Sequence, residues 1–180
     1  MGMSVMSSQV VVITGLMASG KSTVAQAVAE KLPRSVHLRG DVFRKMIVSG
    51  RAEMTPEPSV EALVQLELRY RLACDSCATY ATAGFNVVYQ DVILGQHLEA
   101  VVSRLARFAP LVVLLNPSIA EIAKRDASRP KTAYGGSWTP AALGASLRET
   151  PRLGHWIDTS SMTVPDTAAL ILSQWRDLQS

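Results

Sequence analysis

Eight consecutive residues, Gly15-Leu16-Met17-Ala18-Ser19-Gly20-Lys21-Ser22, set the tightest limit on what this chain can fold into. They match the spacing G-x-x-x-x-G-K-S. An apolar run precedes them at residues 9–14 (QVVVIT), and a helix-compatible stretch follows at 21–32 before Pro33. Gly15 and Gly20 let the backbone turn tightly, so that successive N–H groups point inward and form a nest for a β-phosphate. The helix that follows aims the positive end of its dipole at the same anion. In such a loop Lys21 reaches the β- and γ-phosphates, the Ser22 hydroxyl ligates Mg²⁺, and Thr23 completes the set of ATP contacts. A dinucleotide-binding turn is excluded, because G-x-G-x-x-G requires glycine where Met17 stands. The segment predicts a nucleoside-triphosphate site.

Around that loop, short β-branched runs alternate with longer helical stretches. Strands are predicted at 9–14, 36–39, 86–90, 111–115 and 156–158. Helices are predicted at 21–32, 42–48, 59–83 and 98–108, then from Pro117-Ser118 to 128, at 139–150 and at 165–178. Ser59 caps the longest helix and Gly84 closes it, while Thr139-Pro140 supplies a cap with proline at the first helical position. This alternation predicts a single α/β domain over residues 1–180, a parallel sheet with helices on both faces.

Composition excludes several classes. A chain of 180 residues, 48% hydrophobic, builds one sizeable core and is not disordered. Its longest apolar runs, four or five residues such as 10–13 and 111–115, are too short to cross a bilayer. Two cysteines make no disulfide scaffold, and MGMSVMSSQ lacks the basic flank and apolar stretch of a secretory signal, so a cytoplasmic location is expected. The 18 basic and 15 acidic residues, net +3, are interspersed. They permit an anionic ligand, but no basic stripe interleaved with aromatics suggests nucleic acid.

Parallel strands deliver their carboxyl ends to one edge, where ligands sit. Asp41 follows the second strand there, placed to accept the proton of a hydroxyl attacking the γ-phosphorus. The same residue is placed to cap the helix after it, and the two roles are compatible. Arg44, one turn on, is positioned to hold the acceptor or the moving phosphoryl group. Asp91, ending the third strand, reads as a Walker B-type acid that holds Mg²⁺ directly or through water and borders the acceptor; a turn-capping role is the alternative. The stretch Lys124-Arg125-Asp126-Ala127-Ser128-Arg129-Pro130-Lys131 sets Arg125 and Arg129 four apart on one helical face. With Gly135-Gly136 beyond, residues 124–138 predict a lid whose arginines neutralise charge on the transferring group. The alternative is a solvated surface with a Glu121–Arg125 pair. Tyr70 is a candidate acceptor contact, or a core aromatic. Cys74 and Cys77 form a C-x-x-C inside a helical stretch with no further ligand nearby, and are read as ordinary helix residues. His37, His97 and His155 share no ligand spacing.

Taken in order, GLMASGKS, the strand-end Asp41, VVYQDVILG around Asp91, KRDASR and WIDTSSMT resemble a small P-loop kinase of the chloramphenicol phosphotransferase-like group. Zeta toxins and gluconate, shikimate and adenylate kinases are more distant relatives of that group. The resemblance implies a five-stranded parallel sheet in the order 2-3-1-4-5, with a lid. It also implies ATP with Mg²⁺ as donor and a small-molecule hydroxyl as acceptor, with Asp41 as catalytic base and Arg125 and Arg129 as lid arginines on phosphate. The loop after the last strand, with Thr159 and Ser160, is implied to pack against adenine. Residues 51–83 carry no match to chloramphenicol binding. The expected activity is ATP-dependent O-phosphotransfer to a small molecule, an antibiotic or natural product by resemblance. Two other readings stay open: a kinase of a metabolite, nucleotide-sugar or polynucleotide end, and an ATP-hydrolysing switch acting on a protein partner. The switch leaves Asp41 without a task.

Overall fold

A computed structural model of the chain describes residues 10–128 and 139–178. The strands are β1 (Val10–Gly15), β2 (Ser35–Arg39), β3 (Asn86–Gln90), β4 (Leu111–Leu115) and β5 (His155–Ile157). The helices are α1 (Lys21–Glu30), α2 (Asp41–Lys45), α3 (Val60–Thr82), α4 (Gln96–Arg104), α5 (Ile119–Ala127), α6 (Pro140–Arg148) and α7 (Val164–Asp177). The strands form one sheet in the order β2-β3-β1-β4-β5. Every pairing is parallel, as the sequence and the family resemblance imply.

Strand side chains alternate between two cores. Val10, Val12, Leu38, Tyr89 and Val112 pack on α3 and α4. Val11, Ile13, Val88, Val113 and Ile157 pack on α1 and α7. Burial on both faces explains why β1 and β4 read as unbroken apolar runs rather than as alternation. Cys74 and Cys77 are buried in the α3 core, and burial pushes the Cys74 thiol up to about 12 and Cys77 higher still. These are packed, unreactive thiols.

Several boundaries shift for local reasons. α1 stops at Glu30, because the N–H groups of Lys31 and Leu32 turn to carbonyls three residues back. The stretch predicted as one helix over 98–108 divides into α4 and a 3₁₀ turn, Ala106–Phe108, where the Leu105 N–H is shared between Val101 and Val102. The helix predicted at 42–48 is the short α2; Gly40 holds its cap position and Asp41 is its first residue. β5 sits one residue early: Leu115 pairs with Ile157, leaving Asp158 beyond the edge.

β5 docks beside β4 through Gly154, at φ +68°, where a Cβ would meet the main chain of Val112. Gly154→Ala adds both a strained backbone and a steric collision. It is expected to cost about 2–4 kcal/mol, read as a lowered denaturant midpoint at unchanged m-value.

Candidate active site

Because all strands run one way, the segments after β1, β2 and β3 meet at one edge of the sheet. The loop after β1 enters the left-handed region at Gly15, Ala18 and Gly20, with φ of 144°, 60° and 92°. The Ser19 N–H donates to the Leu16 carbonyl at 3.2 Å, and Lys21 Nζ donates to the same oxygen at 2.6 Å. Lys21 is buried at the start of α1. The loop is pinned from both sides. Thr14 Oγ1 donates to Ile93 O at 2.8 Å and accepts from Ile93 N at 2.9 Å, tying β1 to the segment after β3. Arg125, on α5, donates from Nη1 to Ser19 O (3.2 Å), from Nη2 to Thr159 O (2.9 Å) and from Nε to Glu121 (2.9 Å). Arg125 therefore has both the expected Glu121 pair and a seat on the phosphate loop.

Two clefts share that loop as a wall, for Ala18 and Gly20 line both. The smaller, about 300 Å³, is bordered by Thr23, Arg125, Ser128 and Thr159. Among the described residues, Ser19 Oγ and Thr159 Oγ1 are buried there without a hydrogen-bond partner, which leaves two polar atoms for a ligand or solvent. Ser160 does not line this cleft; its hydroxyl donates to Asp158 and accepts from Ser118 N. The larger cleft, about 1070 Å³, is bordered by Lys21, Ser22, Asp41, Arg44, Tyr70 and Asp91, among others. Both strand-end acids thus face the loop across one cavity.

The two acids are held very differently. Asp41 is part-exposed and pairs with Lys45 one turn on. Arg44 pairs with Glu53, which also lies 3.4 Å from Arg51. Asp91 is buried and pairs through both oxygens with Arg69 of α3, Nε to Oδ2 at 2.9 Å; Oδ1 also accepts from Val92 N at 2.8 Å. Gly40 makes room for this, since a Cβ there would collide with the Asp91 carboxylate. Burial pushes the Asp91 carboxyl up from its ordinary 3.8, against the downward pull of Arg69, Val92 N–H and Lys21. Tyr70 donates to Val92 O at 2.6 Å and its ring lies 5.4 Å from that of His97. Burial raises the Tyr70 phenol, so it stays a donor.

The site thus brings together Gly15 to Thr23, Asp41, Arg44, Tyr70, Asp91, Arg125 and Thr159. Arg129 and most of the expected lid lie outside the described residues. The sequence reading missed Arg69, Gly40 and the apolar wall from Met54 to Leu66. Arg69 did carry a signal: it adjoins Tyr70 in a helix whose buried stripe runs Ala62, Tyr70, Ala73, Cys74 and Cys77.

The sequence profile of the AAA domain family matches residues 10–149. A UPF0200 protein of Aeropyrum pernix is 46% identical over 57 residues, which span 32% of this chain and 30% of that relative. The solved tunicamycin resistance protein of Deinococcus radiodurans superposes with a TM-score of 0.70 at 16% identity, covering 93% of this chain and 95% of that one. The APS kinase of Mycobacterium tuberculosis, solved with AMPPNP and APS, superposes with a TM-score of 0.68 at 16% identity, covering 94% and 98%. At these identities the likeness is one of fold.

Arg69→Met would leave Asp91 buried without its counter-ion, a change worth about 3–5 kcal/mol. The sign with pH follows from a carboxyl raised in the folded state: its protonated form is fully stabilising below 3.8, and that contribution is lost as pH climbs through the raised value. The stability gap between wild type and Arg69→Met is therefore expected to widen from pH 4 upward in urea titrations. A gap that narrows would mean that Arg69 does not hold the ionised acid.

Proposed function

The chain belongs to the AAA domain family, and from that premise we propose that it is an ATP-dependent kinase that phosphorylates a hydroxyl of a small molecule. The carrying observation is the shared wall: one glycine-rich loop separates a small cleft beside Arg125 and Thr159 from a large one holding Asp41. The nucleoside end of ATP sits in the small cleft, with the loop amides and Lys21 on its phosphates. The acceptor fills the large cleft.

In the reaction, the acceptor oxygen bonds to the γ-phosphorus while the bond from that phosphorus to the β–γ bridging oxygen breaks, and ADP leaves. Asp41 takes the hydroxyl proton as its surface pair with Lys45 yields. Lys21 and Arg125 stabilise charge on the transferring oxygens and on the leaving diphosphate. Since the transition state is loose, positioning and electrostatics supply most of the rate.

The donor set fits Mg²⁺: Ser22 offers a hydroxyl on the large-cleft side of the loop, and a magnesium ion takes few protein ligands besides phosphates and water. When bound, it neutralises phosphate charge. Asp91, with both oxygens already bonded, suits an outer position that reaches the ion through water. The fold neighbours include an APS kinase and a tunicamycin resistance protein. A resistance-type role on an antibiotic or natural product is consistent with the resemblance to chloramphenicol phosphotransferase-like kinases. By the family resemblance, residues 124–138 are proposed as the lid and Arg129 as a further phosphate-binding arginine, while Ser160 supports the adenine-side loop through Asp158.

Mass spectrometry across a panel of hydroxylated compounds is the test: a kinase adds one phosphoryl group to a compound, whereas a switch releases only free phosphate. Lys21→Ala is expected to lower turnover about 10²–10³-fold. Asp41→Asn is expected to keep ATP binding and lower transfer about 10²–10⁴-fold. Full transfer by the Asp41→Asn protein would remove the base assignment.

A further inference from the structure

The outer side of α3 carries more apolar surface than a solvated helix needs. Val60 is 80% exposed, Val64 57% and Leu72 38%, with Leu68 half-buried among them. The inner side of the same helix is buried through Ala62, Tyr70, Ala73, Cys74 and Cys77. The helix is therefore apolar toward its own core and apolar again toward the outside. The segment that reaches its flank adds two more exposed apolar side chains, Met46 and Val48, just before the turn that Gln65 holds through Gly50 O and Ala52 N. Exposed apolar surface gathered in one place marks a face that meets another chain.

The order of residues on this face selects the partner. Glu61, Val64, Leu68 and Arg71 follow the 3-4-3 spacing of a coiled-coil seam, the geometry in which two helices cross at about 20°. They run acid, apolar, apolar, base, symmetrically about position 66. An antiparallel second copy centred there sets Val64 against Leu68 of the partner subunit twice over, and Glu61 against Arg71 of the partner subunit at both ends. Val60 and Leu72 flank these layers. Both charges are available: Glu61 accepts from Gln65 at 2.7 Å, and neither Glu61 nor Arg71 makes an ion pair among the described residues. Competing arrangements are penalised. A parallel copy in register opposes Glu61 to Glu61 and Arg71 to Arg71, and a slip of one heptad sets Val64 against Asp75 or against Glu61. We propose that the chain forms a twofold homodimer through the outer face of α3, antiparallel and centred at the level of Leu66. The proposal goes beyond the kinase reading and does not rest on it. Because Leu63, Leu66, Arg69 and Tyr70 of the same helix line the large cleft, the second copy braces that wall from behind.

Sedimentation velocity on the full chain across a concentration series reads the association directly. One helix face with its flank buries less than the roughly 800 Å² per partner of a standard interface, so a dissociation constant of about 1–100 μM is expected. Val64→Glu, at an exposed position, is expected to leave the chain folded and monomeric over that range, with circular dichroism as the check on folding. Glu61→Arg alone, or Arg71→Glu alone, places like charges at both ends of the seam and is expected to weaken the dimer at least about fivefold. An equimolar mixture of those two single variants restores opposite charges at both ends, and is expected to associate within about threefold of wild type. That rescue between separate chains cannot arise from a change inside either one. A wild-type chain that stays monomeric throughout, a dimer indifferent to Val64→Glu, or a mixture no tighter than its two components overturns the proposal.

Discussion

Backbone amides cannot converge on one point unless the chain leaves the ordinary right-handed and extended regions, and that constraint organises this molecule. Gly15 and Gly20 enter the left-handed region with little penalty, but Ala18 does so at about 1–2 kcal/mol. The strain is held by bonds to the loop's own carbonyls. Leu16 O takes Ser19 N and Lys21 Nζ, and Ser19 O takes Arg125 Nη1. Thr14 then ties the start of the loop to Ile93. The phosphate loop is therefore fastened to β3 on one side and to α5 on the other, so anything that shifts Asp91 or Arg125 is transmitted to the amides.

Relative magnitudes separate the roles of the two strand-end acids. Exposed ion pairs are worth about 0–1 kcal/mol, so Asp41 can leave Lys45 at little loss, as the proposed base role requires. Breaking a buried pair costs about 3–5 kcal/mol, so Asp91 stays with Arg69. Gly40 sits between them: its missing Cβ admits the Asp91 carboxylate, and its N–H donates to Gln90 O at 3.0 Å. The fixed acid thus sets the backbone that presents the movable one.

What could be read from the sequence was whatever is written in consecutive residues. The loop, the strands and the caps at Ser59 and Thr139 are local, and each appears close to its predicted place, while the structure adds caps at Ser118 and Thr163. Strand-end acids were legible too, because in a parallel sheet the end of a strand is itself an address. Arg69 was not, since its partner lies 22 residues away and only the packing of α3 on β3 joins them. The apolar wall was hidden for a similar reason: Met54, Pro56 and Pro58 belong to an irregular segment without periodicity. Gln65 anchors that segment to α3 by accepting from Ala52 N and donating to Gly50 O.

Charge partition across the phosphate loop extends the same logic. On the donor side, Lys21 and both terminal nitrogens of Arg125 bond to main-chain oxygens, and Arg125 also pairs through Nε with Glu121. A carbonyl positions a cation without cancelling its charge, whereas the Glu121 carboxylate offsets part of the Arg125 charge. On the acceptor side, Arg44 and Arg69 are each matched to a carboxylate, which cancels their long-range field and leaves the acids in excess. The cations around the loop thus differ in how they are held, Lys21 by a carbonyl, Arg44 and Arg69 by carboxylates, and Arg125 by both.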